Sequence, residues 1–289
     1  FFFFVVGGAS SYNWFNGVVS SSQAIVADVS GSNNFVVIGS DLNGCLDTAS
    51  ISVQVDQLPN VVASSAFNSI CLGDSVLISA SGALNYQWGN GVQISNQYVS
   101  PTTIGNNSYI VTGSDVNSCS NSDTVNILVN SLPIAQVSAS DTNICINDTI
   151  TLLSSAAINY QWNNGSTSQS QTLILGNAGT TIFTVTIFDN NSCSATDSVI
   201  VNVNNNPTIS VSANNNNICI GESVTLSATG AINYLWDNGV TSSTQVITPS
   251  TSAILTYSVV GTDINSCSAN AQVNITVNPL PNTGPIFHN

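Results

Sequence analysis

Seven cysteines occupy two positions that recur every 74 residues: Cys71, Cys145 and Cys219 form one series, and Cys45, Cys119, Cys193 and Cys267 the other. Thiols fixed in this way read as structural disulfides made in an oxidising compartment, because zinc sites want ligand pairs closer together in the chain. The simpler pairing is within each repeat, Cys71 to Cys119, Cys145 to Cys193 and Cys219 to Cys267, with Cys45 left over. Pairing across repeat junctions, Cys71 to Cys193 and Cys145 to Cys267, is the alternative. In a two-sheet sandwich the two cysteines of one repeat fall near opposite poles, roughly 20 Å apart at about 3.3 Å per residue, whereas a disulfide spans about 6 Å between Cα atoms. Both pairings stay open on the sequence alone, as do free thiols.

The second cysteine series always closes the same five residues. Asp41-Leu42-Asn43-Gly44-Cys45 returns as Asp115-Val116-Asn117-Ser118-Cys119, Asp189-Asn190-Asn191-Ser192-Cys193 and Asp263-Ile264-Asn265-Ser266-Cys267. Asp and Asn tolerate the positive φ of tight turns, so this is expected to be the hairpin between the last two strands of each unit. Asp41, Asp115, Asp189 and Asp263 are also weak Ca²⁺ candidates, but one carboxylate and a few carbonyls fall short of about six to eight oxygen ligands. No metal or other cofactor is therefore expected. His288, the single histidine, sits after the last repeat and reads as a solvated end rather than a base. Nucleophile motifs and phosphate-cradling Gly loops are missing from the sequence, so no catalytic residue is assigned and the chain reads as a non-enzyme.

The elements that hold these residues are legible from the aromatics. Asn85-Tyr86-Gln87-Trp88 returns as Asn159-Tyr160-Gln161-Trp162 and Asn233-Tyr234-Leu235-Trp236, with Tyr12-Asn13-Trp14 before them. A fixed period means one supersecondary unit copied in series. Counting by 74 places a partial unit at residues 1–59, complete units at 60–133, 134–207 and 208–281, and the start of a linker or further repeat at 282–289. Short alternating segments at residues 61–66, 75–81, 98–101, 108–113 and 124–129, bounded by Gly, Asn, Ser and Asp, read as strands. Tyr and Trp two apart share one face of a third strand. The fold class is thus all-β, a tandem array of immunoglobulin-like β-sandwich domains in an extended rod, with Trp14, Trp88, Trp162 and Trp236 as core plugs. Phe35, Tyr109, Phe183 and Tyr257 should pack against them from the penultimate strand. A sugar-stacking platform is the functional alternative for these aromatics.

Lys and Arg together number zero against 14 acidic residues, a net charge of −14. Such a surface repels phosphate backbones and anionic lipid, which excludes nucleic acid as a partner and electrostatic docking on a membrane. No apolar run reaches the ~18 residues of a membrane span, so direct membrane insertion is not expected either. Trypsin has no site anywhere in this sequence. The urea-unfolded chain should keep its full mass through prolonged trypsin digestion; any tryptic fragment would contradict the composition.

The last unit carries a resemblance. Ile218-Cys219-Ile220-Gly221-Glu222-Ser223-Val224-Thr225-Leu226-Ser227-Ala228, then Tyr234-Leu235-Trp236, Tyr257-Ser258-Val259, Asp263-Ile264-Asn265-Ser266-Cys267 and Asn278-Pro279-Leu280-Pro281, resemble the tandem Ig-like or PKD-like repeats of Bacteroidetes surface proteins, including gliding-motility adhesins of the SprB type. Residues 1–8 depart from that pattern. The resemblance implies export by the type IX system, a place on the cell surface, and a structural or adhesive stalk as function. Its implied partners are neighbouring repeats of the same chain, with surface glycans, a substratum or the motility and secretion machinery beyond them. It also implies O-glycans at Asp-Ser/Thr before a small apolar residue, here Thr48, Ser75, Thr124, Thr149 and Ser198. The alternative function is a spacer or carbohydrate-binding array within a secreted multidomain enzyme. Leu280-Pro281-Asn282-Thr283-Gly284 matches the LPxTG sortase pattern but is read as the inter-repeat linker.

Overall fold

A computed structural model describes residues 2–284, and every regular element in them is a β-strand, 26 in all. The chain divides into two compact units, Phe1–Ser131 and Leu132–Asn289, each holding two sandwiches with separate apolar cores.

In the first unit, the first sandwich comprises β1 (Phe2–Val5), β2 (Ser11–Trp14), β3 (Ser22–Ile25), β4 (Gly31–Ser40) and β5 (Leu46–Val55). Seven strands build the second: β6 (Val62–Ser65), β7 (Ser69–Cys71), β8 (Val76–Ser81), β9 (Asn85–Trp88), β10 (Asn96–Val99), β11 (Gly105–Ser114) and β12 (Ser120–Asn130). One sheet of the second sandwich runs β10-β8-β6 and is antiparallel throughout. The other runs β7-β12-β11-β9, with β7 parallel to β12. The chain thus lays its opening strand on one sheet, crosses over, and lays a short second piece on the other, which is an immunoglobulin-like arrangement. Both sandwiches of the second unit repeat this order, 74 and 148 residues on.

Alternation explains which side of each strand is buried. Val76, Ile78 and Ala80 on β8 are 1%, 0% and 8% exposed, and Val125, Ile127 and Val129 on β12 face them at 7%, 0% and 1%. Side chains two apart share a face, so these rows close on each other across the roughly 10 Å between packed sheets. Each such Val or Ile contributes about 1.5–3 kcal/mol relative to an exposed one.

Two features depart from the sequence expectation. β7 was not foreseen, because three residues cannot show alternation. Residues 1–8, whose pattern breaks the repeat, nevertheless supply β1, which pairs with β3 as β8 pairs with β10. Phe4 takes the place of Ile78 there and packs on Phe35 at 5.0 Å between ring centroids.

Gly82 turns the chain out of β8 with φ +86, and a Cβ there would lie 1.8 Å from the Asn60 carbonyl oxygen; Gly230 repeats this with φ +100 and 2.0 Å to Thr208 O. Backbone on both sides leaves nothing to give way. Gly82→Ala should therefore destabilise the second sandwich by well over ~1 kcal/mol, where a compatible site would gain from the same change. Denaturant unfolding checks this, and an unchanged midpoint would contradict it.

Candidate functional site

The residues with chemistry to offer collect at the ends of the sandwiches. Cys71 ends β7 directly opposite Asn130, the last residue of β12, while Cys119 stands just before the first residue of that strand. The 11 residues of β12 separate them. At about 3.3 Å per residue that is roughly 36 Å, six times the reach of a disulfide. Cys145 opposite Asn204 and Cys219 opposite Asn278 stand in the same relation to Cys193 and Cys267.

Within-repeat pairing is accordingly corrected. Cys145 is bonded to Cys267, in the following sandwich, with S–S 2.01 Å and Cα–Cα 5.5 Å across a sequence separation of 122. Cys119 and Cys219, expected in within-repeat bonds, are free thiols, as is Cys45. Cys71 and Cys193 are not free. The sequence estimate of the pole-to-pole distance was too short because it lacked β7, whose parallel register carries the first cysteine to the far end of the last strand.

Both sulfurs of the bond are set in place by carboxylates. Asp263 Oδ1 accepts the N–H of Asn265 and of Cys267, each at 2.9 Å, while the Asp263 N–H donates to Cys267 O at 2.9 Å. The turn so made presents Cys267 fully buried. On the other side the Cys145 N–H donates to Asp148 Oδ2 at 2.9 Å. Asp41, Asp115 and Asp189 make the same pair of bonds in their own hairpins. These Ca²⁺ candidates thus each direct one carboxylate oxygen at their own backbone, and among the described residues no three metal-ligating side chains gather. The turn itself differs in one detail from expectation. Positive φ falls on Ser118, Ser192 and Ser266 (67°, 64° and 65°) and on Gly44, not on the Asp or Asn.

The tryptophans lie in the four cores, 1–4% exposed. Each indole N–H donates to the carbonyl six residues on: Trp14 to Ser20, Trp88 to Ile94, Trp162 to Ser168 and Trp236 to Ser242, at 2.7–2.9 Å. Tyr86 Oη accepts the Ala83 N–H at 3.0 Å and donates to Ala83 O at 2.9 Å, a clasp repeated by Tyr12, Tyr160 and Tyr234. Phe35 and Phe183 are buried in the same cores, with Tyr109 and Tyr257 packed against theirs. The buried Trp and Phe rings offer no face to a sugar, while these tyrosines stay half-buried.

Thr48, Ser75, Thr124, Thr149 and Ser198 are all exposed. The Asp before each has a structural task that the sequence did not reveal. Asp123 and Asp197 accept the N–H of Ala63 and Val137 at 2.7 and 2.8 Å, tying the first strand of a sandwich to its last. Asp74 and Asp148 cap the turn after the first cysteine, and Asp47 accepts the Thr48 N–H. The sequence reading also missed an amide pair at a spacing of seven, in which Asn16, Asn90, Asn164 and Asn238 donate to Gln23, Gln97, Gln171 and Gln245 at 2.6–2.9 Å. Only recurrence could have revealed it. His288 lies outside the described residues.

The Ala63 and Thr124 amides hold the Asp123 carboxyl below its ordinary value of 3.8. A depressed folded-state value means that this stabilisation is complete above about 3.8 and is lost as pH falls through the lower folded value. Acid melting of the second sandwich should therefore steepen below pH ~4, and Asp123→Asn should flatten that slope. Identical acid profiles for the two proteins would contradict this role.

No family model matches the chain, and no curated protein matches it. Solved structures do. The N-terminal eight Ig domains of Down Syndrome Cell Adhesion Molecule are similar at 12% identity and TM-score 0.33, over 94% of this chain and 44% of that one, so the chain spans less than half of that structure. A Ca²⁺-stabilised adhesin with which an Antarctic bacterium binds ice is similar at 12% identity and TM-score 0.34, over 93% of this chain and 90% of that one. Titin domains I67–I69 are similar at 13% identity and TM-score 0.35, over 78% of this chain and 100% of that one.

Proposed function

We propose that this chain is a structural and adhesive segment of a large secreted bacterial cell-surface protein, serving attachment or gliding. Residues 60–133, 134–207 and 208–281 act as successive load-bearing modules, residues 1–59 as part of another, and residues 282–289 as the start of a linker or of a further repeat. The observation that carries the reading is the Cys145–Cys267 bond. A covalent tie between consecutive sandwiches resists separation under load, whereas a module that worked alone would gain nothing from it. Disulfides also fit an extracellular home. The commitment of the four tryptophans to cores and of the repeated carboxylates to turns and strand ties leaves these residues as scaffold, which favours the stalk over a sugar-binding module.

The finer points follow the resemblance in the sequence: export by the type IX route, partners among surface glycans, a substratum or the motility machinery, and O-glycans on the five exposed Ser and Thr residues. Glycans would keep a surface without basic residues soluble. Unmodified peptide masses at all five positions would remove that element.

Antibodies raised against the chain should label intact, unpermeabilised source cells, and their Fab fragments should block attachment or gliding. Labelling only after permeabilisation, or attachment and gliding untouched by saturating Fab, would overturn the proposal.

A further inference from the structure

Asn-Gly occurs at five places in the chain. Asn16-Gly17, Asn90-Gly91, Asn164-Gly165 and Asn238-Gly239 follow the core tryptophans, and Asn43-Gly44 lies in the hairpin between β4 and β5. An asparagine before glycine carries its own reaction, because the next backbone nitrogen has no adjoining Cβ to keep it from the carboxamide carbon. All five asparagines are exposed, so water and base reach each of them. What separates them is how each carboxamide is held.

In the four tryptophan loops the side chain is tied at both ends. Asn Nδ2 donates to the Gln Oε1 seven residues on at 2.6–2.9 Å, and Asn Oδ1 accepts the N–H two residues on at 3.2–3.3 Å. The glycine nitrogen is committed as well, its N–H donating to the Trp carbonyl oxygen at 2.8–3.0 Å. These ties must break before that nitrogen can reach the carboxamide. Asn43 lacks the Gln partner. Among the described residues its carboxamide bonds only with the exposed Asp41 carboxylate, and the Gly44 N–H donates to Asp41 O at 3.2 Å. The hairpins of the later repeats carry Ser118, Ser192 and Ser266 where Gly44 stands, and a side chain there crowds the nitrogen. Asn265 is exposed too, although its hairpin ends in the bonded Cys267, so the exposure of Asn43 does not come from a free thiol.

We propose that Asn43 is a site of spontaneous covalent modification, converting to aspartate and isoaspartate through a cyclic imide, and that the Asn–Gln pair keeps the other four Asn-Gly dipeptides unreactive. Base removes the Gly44 amide proton, the nitrogen attacks Asn43 Cγ, the new N–Cγ bond closes the ring, and the Cγ–Nδ2 bond breaks as ammonia leaves with a proton. Water then opens the imide. Cleavage at Cγ leaves aspartate, and cleavage at the main-chain carbonyl reroutes the backbone through the side chain as isoaspartate. Either product sets a second carboxylate beside Asp41, whose Oδ1 accepts the N–H of residues 43 and 45 at 2.8 Å, so the turn loosens. The proposal stands on the tethers and the glycine, and does not need the adhesive reading.

The test holds the full chain at mildly alkaline pH in heavy-oxygen water, folded and in urea, and follows each asparagine by peptide mass, with isoaspartate recognised by its resistance to cleavage at Asp. In the folded chain Asn43 should convert about 10- to 100-fold faster than Asn90, Asn164 and Asn238, the factor set by the bonds that those must break. Asn43 should also outpace Asn117, Asn191 and Asn265, and in urea the five Asn-Gly pairs should convert at similar rates. Gln171→Leu should speed conversion of Asn164 about 10-fold and leave Asn90 unchanged. Gln171→Glu keeps an acceptor for Asn164 Nδ2 and should stay slow. Equal rates at all five sites in the folded chain, Asn43 no faster than Asn117, or equal acceleration by Gln171→Leu and Gln171→Glu would each overturn the proposal. The comparison of Asn43 with Asn90 needs no variant, so it decides the matter even if Gln171→Leu unfolds the third sandwich.

Discussion

Trp236→Ala should unfold the fourth sandwich while leaving the cores of the others in place. Trp236 is 1% exposed and its indole N–H is bonded to Ser242 O at 2.9 Å. Truncating a buried Trp costs about 3–5 kcal/mol. A unit of 74 residues has about 4–11 kcal/mol in total at ordinary stability per residue. The loss is therefore comparable to everything the module has. Its core, built on Ile218, Leu226, Val259, Ile275 and their neighbours, is a cluster separate from the other three, so the damage should stay local. Hydrogen exchange should show residues 208–281 unprotected and the second sandwich unchanged. Trp236→Phe keeps most of the volume and loses the N–H, with an expected cost of about 1–2 kcal/mol. Uniform loss of protection along the chain would mean that the copies share one core.

Cys145→Ser should have the next largest effect. The bond closes a loop with a sequence separation of 122, for which the chain-entropy model gives about 5 kcal/mol, with about 2–4 more usual in practice. The same loss is expected for Cys267→Ser, and the double variant should be no worse than either, because both changes remove one interaction. Cys219→Ser removes a free thiol and should be near neutral. Thermal unfolding of the four proteins separates these cases. Equal costs at Cys145 and Cys219 would show that side-chain packing, and not the bond, was measured.

How much of this was written in the sequence depends on residue spacing. Tyr86 and Trp88, two apart and returning every 74 residues, announce a strand with one buried face, and Trp is the plug that such a sandwich needs. The Asp-x-Asn-Ser-Cys hairpin was legible as a turn from residue type, although the strained position is Ser118, where a neighbouring carboxylate, not the residue's own propensity, shapes the loop. Disulfide connectivity was hidden. It turns on a three-residue strand and its parallel register, and neither leaves a periodic trace; without them the span from Cys145 to Cys193 reads as roughly 20 Å, little more than half its true length. The Asp123 and Asp197 ties were hidden for a similar reason, since each reaches an amide 60 residues away.

The most direct test of the stapled-sandwich account is a disulfide map of the alkylated, unreduced chain after cleavage on the N-terminal side of Asp. Peptide 141–147, which holds Cys145, should be found linked to peptide 263–289, which holds Cys267, and the peptides of Cys45, Cys119 and Cys219 should carry the alkyl label. Peptide 141–147 linked to 189–196, the peptide of Cys193, would contradict it.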